Sequence, residues 1–206
     1  MLGTALFLAL TALVSAGKPL DDPTGLAFDR AGNLWVCNYY GHTLLEYSPS
    51  QLAATGSPTP VRIVRGVRGA NNLAFDAQGN LWAAEYDGGS VAEFRDGRLV
   101  VRIRFTRNVP SSPTGLAFDR TGTLWVTSQR SGELAGFTPA QLRTSGPKNP
   151  GRTIELPAGQ GANNQSVGFD RDGGMWIAQW GRNRVLGYKR GGAGRARSFG
   201  WTERGR

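Results

Sequence analysis

The stretch Gly25-Leu-Ala-Phe-Asp-Arg-Ala-Gly-Asn-Leu-Trp-Val36 decides how this chain folds, because near copies of it begin again near Asn72, Gly115 and Ser166. Phe28, Phe75, Phe118 and Phe169 are each followed at once by an aspartate and seven residues later by a tryptophan: Trp35, Trp82, Trp125 and Trp176. Asp29, Asp76, Asp119 and Asp170 are in turn followed three residues later by Gly32, Gly79, Gly122 and Gly173. A further ring stands twelve residues past each tryptophan, at Tyr47, Phe94, Phe137 and Tyr188. The units of 43 to 51 residues have the length of propeller blades or solenoid turns.

Within one unit the pattern is that of short strands. Thr24 to Phe28, Leu34 to Asn38, Thr43 to Tyr47 and Val61 to Val64 are apolar runs, and Asp29-Arg-Ala-Gly32 joins the first two. Aspartate at the first position of such a turn accepts backbone hydrogen bonds, and glycine at the fourth supplies a positive φ for a type I turn with a bulge. Arg62 and Arg65 alternate with Val61 and Ile63, a pattern expected of an outermost strand that discourages edge pairing. Four hairpin-connected antiparallel strands per unit make the blade of a β-propeller. The fold class is therefore all-β, a propeller with four detectable blades at about 19–66, 67–110, 111–157 and 158–206, within a repeat region of 17–188. A larger propeller cut short is the alternative. Residues 189–206 form a basic tail or an incomplete outer strand of the last blade. The Phe and Trp columns are expected to pack blade on blade, each buried ring contributing roughly 1.5 to 3 kcal/mol.

A longer period overlies the first. Tyr47-Ser-Pro-Ser-Gln-Leu52 returns as Phe137-Thr-Pro-Ala-Gln-Leu142, and Gly69-Ala-Asn-Asn72 returns as Gly161-Ala-Asn-Asn164. Blades thus alternate in type, as duplication of a two-blade unit would produce.

The formal charge is +9, but six Lys or Arg and one Glu after Tyr188 carry +5 of it, so no nucleic-acid partner is expected of the blades themselves. The lone cysteine, Cys37, lies in a strand and reads as a small buried hydrophobe. Residues 2–16 are apolar and end in small residues, as in a signal peptide cleaved after Ala16, although no Lys or Arg precedes them. The expectation is a secreted or periplasmic protein with no transmembrane span after signal removal. Gly17 stands where a lipid anchor would need a thiol.

In a four-stranded meander the loop leading into the first strand and the loop joining the second and third emerge on one face. The first set brings Thr24, Asn71, Thr114 and Gln165, with Asn72, Asn163 and Asn164 beside them. The second begins at Asn38, Glu85, Ser128 and Gln179 and continues through Tyr39, Tyr40, His42, Tyr86, Asp87, Gln129, Arg130, Trp180 and Arg182. Amides and aromatic rings together suit a small polar ligand, a carbohydrate or a protein, binding the polar edges and stacking on the apolar ones. No catalytic constellation is evident: there is no Gly-x-Ser-x-Gly turn, and the single histidine stands alone.

The pattern Gly-Leu-Ala-Phe-Asp-x-x-Gly-x-Leu-Trp-Val resembles the NHL-repeat propellers and, more broadly, the senescence marker protein and gluconolactonase group and the virginiamycin B lyases. The likeness covers residues 23–188. For the lactonases it implies a divalent cation, calcium or magnesium, at the central channel, and the positions that match are Asn71 and Glu85, with Asp87 nearby. One carboxylate with one helper is a poor set for a hard cation. For the lyases it implies a catalytic histidine, for which His42 is available, with Glu85 as its acidic companion. A metal-dependent lactonase or lyase is thus the alternative to a binding module.

Overall fold

The computed structural model describes residues 20–106, 112–157, 163–189 and 197–200, the last stretch as backbone only. The signal-peptide segment and most of the basic tail lie outside these residues. The chain is a four-blade β-propeller in which each sheet is built on a four-stranded antiparallel meander. Blade 1 holds β1 (Pro23–Phe28), β2 (Leu34–Asn38), β3 (Thr43–Tyr47) and β4 (Arg62–Val64), with a one-turn helix, Pro49–Leu52, between the last two. Blade 2 holds β5 (Ala70–Phe75), β6 (Leu81–Glu85), β7 (Ser90–Arg95) and β8 (Arg98–Phe105). Blade 3 is built from β9 (Pro113–Phe118), β10 (Leu124–Ser128), β11 (Glu133–Phe137) and β13 (Arg152–Glu155); the short β12 (Gly146–Lys148) lies in its third connection. Blade 4 comprises β14 (Asn164–Phe169), β15 (Met175–Gln179), β16 (Arg184–Tyr188) and β17 (Arg197–Gly200). No helix among the described residues is long and apolar enough to cross a membrane.

The aspartate column closes the first turn of every blade, and it does more than the turn requires. In blade 3 one oxygen of Asp119 accepts the amides of Thr121 at 2.8 Å and Thr123 at 3.0 Å, while the other accepts the indole N–H of Trp125 at 2.9 Å. The same carboxylate-to-indole bond joins Asp29 to Trp35, Asp76 to Trp82 and Asp170 to Trp176. Gly32, Gly79, Gly122 and Gly173 sit at φ +78° to +87°, the left-handed region a bulged type I turn needs.

Fixed in this way, the indoles of Trp35, Trp82 and Trp125 face the next blade. The Trp35 ring meets Phe75 edge-on at 6.3 Å between centroids, and Trp82 meets Phe118 at 6.0 Å. Three inter-blade cores result. Trp35, Cys37 and Leu44 pack on Leu73, Leu81 and Phe94; Trp82 and Val91 on Leu116, Leu124 and Phe137; Trp125 and Leu134 on Val167, Ile177 and Tyr188. Burial pushes the Cys37 thiol well above its ordinary range, so it is an inert apolar group at neutral pH.

Two expectations change. Arg62 does not simply fringe an outer edge: its guanidinium lies over the Trp35 ring at 5.8 Å and pairs with Glu46 at 3.0 Å. Val61 and Ile63 are exposed, as is Arg62; Ile63 stands opposite Leu45 on the face where Leu20 and Leu52 pack, and no further blade among the described residues covers it. The other change is β12, which leaves blade 3 and adds a parallel fifth strand to blade 2, pairing Gly146 with Ile103 and Lys148 with Phe105. Such a strap covers the edge that strand pairing would otherwise leave open.

The carboxylate clamp sets a measurable property. Burial opposes ionisation of Asp119, but hydrogen bonds from Thr121, Trp125 and the turn amides outweigh it and hold the carboxyl below its usual 3.8. Asp29 is lowered in the same balance. A depressed folded-state pKa contributes stability that is present above about pH 3.8 and lost as pH falls through the folded value. Asp119→Ala should lower the unfolding free energy at neutral pH by about 1 to 3 kcal/mol, since it strands the Trp125 N–H and two turn amides. Urea titrations at pH 7 and in steps below pH 4 check both: the variant should lose less stability on acidification than the parent.

A candidate ligand-binding face

Inner strands approach most closely at the centre of the array. A Cβ on Gly25 would stand 2.7 Å from Asn72 Cα, and one on Gly115 equally close to Ser166 Cα. Small residues at these two points let β1 lie against β5 and β9 against β14. Thr24 ties the first pair by donating its hydroxyl to the Ala70 carbonyl at 3.0 Å, and Thr114 ties the second by donating to the Asn164 carbonyl.

Above these contacts lies a shallow cavity of about 220 Å³ lined by Asp22, Thr24, Tyr39, Asn71, Tyr86, Thr114, Gln129 and Gln165. All four blades contribute. Thr24, Asn71, Thr114 and Gln165, expected from the sequence to share a face, do come together here. Asp22 is an addition that sequence reasoning missed; its sign was only a polar residue two positions before Thr24. The side-chain amides of Asn71 and Gln165 are half-buried and make no hydrogen bond with any described residue.

Rings form the wall. Tyr39 meets Tyr40 at 5.1 Å and Tyr86 at 6.1 Å, both edge-on. Its hydroxyl donates to Asp87 at 2.8 Å, and the Tyr86 hydroxyl donates to Gln129, so two phenols link three consecutive blades. Burial first, then the Asp87 contact, raises the Tyr39 phenol above its ordinary range. Tyr40, His42, Asp87, Arg130, Trp180 and Arg182 are exposed around this rim. His42 accepts the Gly69 amide at Nδ1, at 3.2 Å. That bond places the neutral ring's proton on Nε2, which suits a donor better than a general base.

The column at the end of each second strand is a correction to the expected face. Asn38, Glu85, Ser128 and Gln179 are all at most 3% exposed, and each secures a loop instead of meeting solvent. Asn38 accepts the Asp21 amide and donates to Thr43. Gln179 accepts Arg184 Nε at 2.6 Å and donates to Asn164. Ser128 accepts the Arg130 amide. Asn164, also expected at the surface, is fully buried between Ser131 and Gln179. Asn72 turns back on its own chain, accepting the Leu73 amide at 2.7 Å. The sign was legible: Asn38, Glu85 and Gln179 are each opposed, five residues on, by Thr43, Ser90 and Arg184 across a hairpin.

Glu85 has the most partners. Arg102, from β8, donates Nε to Oε2 and Nη2 to Oε1, both at 2.7 Å, while Ser90 Oγ and the Arg68 amide complete the shell. With both oxygens taken, Glu85 is neither placed to ligate a cation nor free to assist His42. Among the described residues no three His, Cys, Asp or Glu side chains gather as a metal-holding group. The remaining cavity lining offers neutral amides and hydroxyls with the single carboxylate of Asp22, a poor match to the divalent cation that the lactonase resemblance implies.

Larger clefts, of about 450, 600 and 720 Å³, follow the blade seams on the opposite side. Each is bounded by an Asp-to-Gly turn and the Trp–Phe seat of its seam, so they are products of blade packing repeated three times. The smaller cavity is the site candidate because it is polar and drawn from every blade.

The buried ion pair predicts a specific energetic pattern. Arg102→Met should destabilise the fold by about 3 to 5 kcal/mol, because Glu85 would be left charged and enclosed. Adding Glu85→Gln should recover part of that loss, with a coupling of at least about 0.5 kcal/mol in a double-mutant cycle followed by thermal or urea unfolding.

No known protein-family model matches the sequence, and no curated protein does. Solved structures do match. The chain is similar to virginiamycin B lyase from Staphylococcus aureus at 16% identity and a TM-score of 0.66, over 88% of this chain and 56% of that one. A streptogramin B lyase structure matches at 14% identity and TM-score 0.67, over 92% and 58% of the two chains. A protein of unknown function from Bacteroides caccae matches at 12% identity and TM-score 0.64, over 89% and 63%. The chain thus spans about three fifths of the length of the structures it matches, at identities that speak to architecture alone. It is a β-propeller with the fold of the virginiamycin B lyase-like propellers.

Proposed function

We propose that this chain is an exported propeller that binds a small polar ligand, a carbohydrate hydroxyl cluster or a polar protein loop, at the mouth of its central axis. One observation carries the reading. Asn71 and Gln165, from alternate blades, line a cavity walled by Tyr39 and Tyr86 with side-chain amides that make no hydrogen bond to any described residue. An unengaged, half-buried amide wants a partner, and each can both donate and accept. Adjacent phenol rings supply the apolar faces on which a sugar ring stacks. A cavity of about 220 Å³ admits one monosaccharide-sized group, with the exposed rim of Tyr40, His42 and Trp180 available to the rest of a larger molecule.

The competing reading is a lactonase or lyase of the gluconolactonase-like or virginiamycin B lyase-like type. The fold likeness favours it, and His42 is the residue on which it would turn. The engagement of His42 Nδ1 and Glu85 supports binding over catalysis.

A panel of mono- and disaccharides screened by thermal shift tests the binding reading. A ligand at 100 times its Kd stabilises the fold by about 2.7 kcal/mol, ample for a clear shift. Asn71→Ala and Gln165→Ala should each abolish the shift while changing stability by less than about 0.5 kcal/mol, since neither amide supports the fold. Persistence of the shift in both variants would sink the proposal. Turnover of quinupristin or a simple lactone, lost in His42→Ala, would instead establish the enzymatic reading.

A further inference from the structure

Of the three clefts that follow the blade seams, the third is not a copy of the other two. The cleft between blades 1 and 2 is lined by Glu46 and Arg62, and the one between blades 2 and 3 by Glu93 and Arg95. In each the arginine pairs with the glutamate, at 3.0 Å in blade 1 and 2.5 Å in blade 2. Blade 3 has Gly136 at the matching position, opposite Trp125 as Glu46 is opposite Trp35 and Glu93 opposite Trp82. The cation, however, is kept. Arg152 stands across from Gly136 as Arg62 stands across from Glu46, and it lines the third cleft. Its side chain makes no ion pair or hydrogen bond with any described residue.

Loss of the glutamate changes the balance of the whole cleft. Arg120, Arg152 and Lys189 stand with a single carboxylate, Asp119, whose oxygens already accept the turn amides and the Trp125 indole. In the first cleft three carboxylates, of Asp29, Glu46 and Asp96, accompany two arginines, and the second holds three charges of each sign. The third is therefore the basic cleft of the set, and at about 720 Å³ it is also the widest of them. Half-buried Phe118, Ile154 and Phe169 and the buried Met175 give it apolar walls. Tyr188 lines it as well, 8% exposed, and the enclosed Tyr188 hydroxyl has no hydrogen-bond partner among the described residues.

We infer that the cleft between blades 3 and 4 binds a small aromatic carboxylate, its acid group meeting Arg152 in place of the missing glutamate and its ring lying along Phe118, Ile154 and Phe169. A guanidinium offers a carboxylate two parallel donors and holds its charge at any physiological pH. Apolar walls with a few polar groups, in a cavity of several hundred cubic ångströms, are the usual make-up of a small-molecule site. Arg120 and Lys189 add positive charge beside Arg152, which favours an anion and disfavours an amine of the same shape. The site shares no lining residue with the central mouth and does not depend on what the mouth binds.

Equilibrium dialysis of the full chain against cinnamate tests this, with methyl cinnamate as the uncharged match and acetate as the carboxylate without a ring. Cinnamate should bind saturably, and both controls at least about tenfold more weakly, since one lacks the charged hydrogen bonds and the other the apolar body. Arg152→Gln should lower the affinity for cinnamate by about tenfold or more, and Arg152→Lys by less. Arg152 is exposed, so both variants should melt with the parent. Arg143→Gln makes the same charge change in the second cleft and should leave cinnamate binding intact. Asn71→Ala should also leave it intact, which separates this site from the one proposed at the mouth. Absence of saturable binding, equal binding of the methyl ester, or an affinity that Arg152→Gln does not change would overturn the inference. An equal loss in Arg143→Gln or Asn71→Ala would overturn it too.

Discussion

One carboxylate per blade holds the architecture in place. Asp29, Asp76, Asp119 and Asp170 each accept the amides that close a turn and, with the other oxygen, the N–H of the tryptophan six residues later. A buried indole is a large apolar group with one polar atom that must be satisfied. By supplying the acceptor from the turn itself, the aspartate fixes the ring's orientation before any neighbouring blade is considered. The ring edge then presents to the next phenylalanine at the interplanar angle of 71° found for both Trp35–Phe75 and Trp82–Phe118. Turn chemistry and inter-blade packing are therefore one interaction seen from two sides.

That coupling explains why the fold was legible in the sequence and the site only in part. Phe, Asp, Gly and Trp stand within eight residues of one another, and the physics that links them is local, so their spacing survives in all four repeats. Glu85 differs. It sits at a strand end, where polarity suggests exposure, but its principal partner Arg102 comes from a strand two hairpins away. Polar residues at strand ends serve loops as readily as ligands, and only the cross-hairpin partners Thr43, Ser90 and Arg184 betrayed the difference. β12 was invisible for a similar reason: a three-residue strand containing Pro147, paired in parallel with another blade, has no periodicity of its own.

The outer strand of blade 1 shows how a neighbour decides which side of a strand is inside. Val61 and Ile63 would be buried if another blade lay in front of them; without one among the described residues they are exposed, while Arg62 folds over Trp35. Burial raises the carboxyl of Glu46 above its usual 4.5, and Arg62 opposes that shift. Blade 2 repeats the device, with Arg95 on the buried Glu93 at 2.5 Å. In blades 3 and 4 the residues opposite the tryptophan are Gly136 and Gly187, where a Cβ would approach the indole ring to 3.0 and 2.8 Å. The same column thus holds a charged cover in the first two blades and an open seat for the ring in the last two.

Alternation between blades divides the work at the central mouth. The leading position is threonine in blades 1 and 3, where a short hydroxyl reaches the carbonyl of the adjoining inner strand and bonds it. In blades 2 and 4 the same position is Asn71 or Gln165, whose longer side chains line the cavity and have no hydrogen-bond partner among the described residues. Had all four been threonine, the inner strands would be tied all round and the mouth would be chemically closed. Had all four been amides, the centre would lack the cross-blade bonds that position it. Duplication of a two-blade unit yields both at once: every second blade fastens the inner strands, and every blade between turns an amide toward the cavity. On the proposed binding reading, amides set between fastened inner strands would leave little ordering of the site to oppose a ligand.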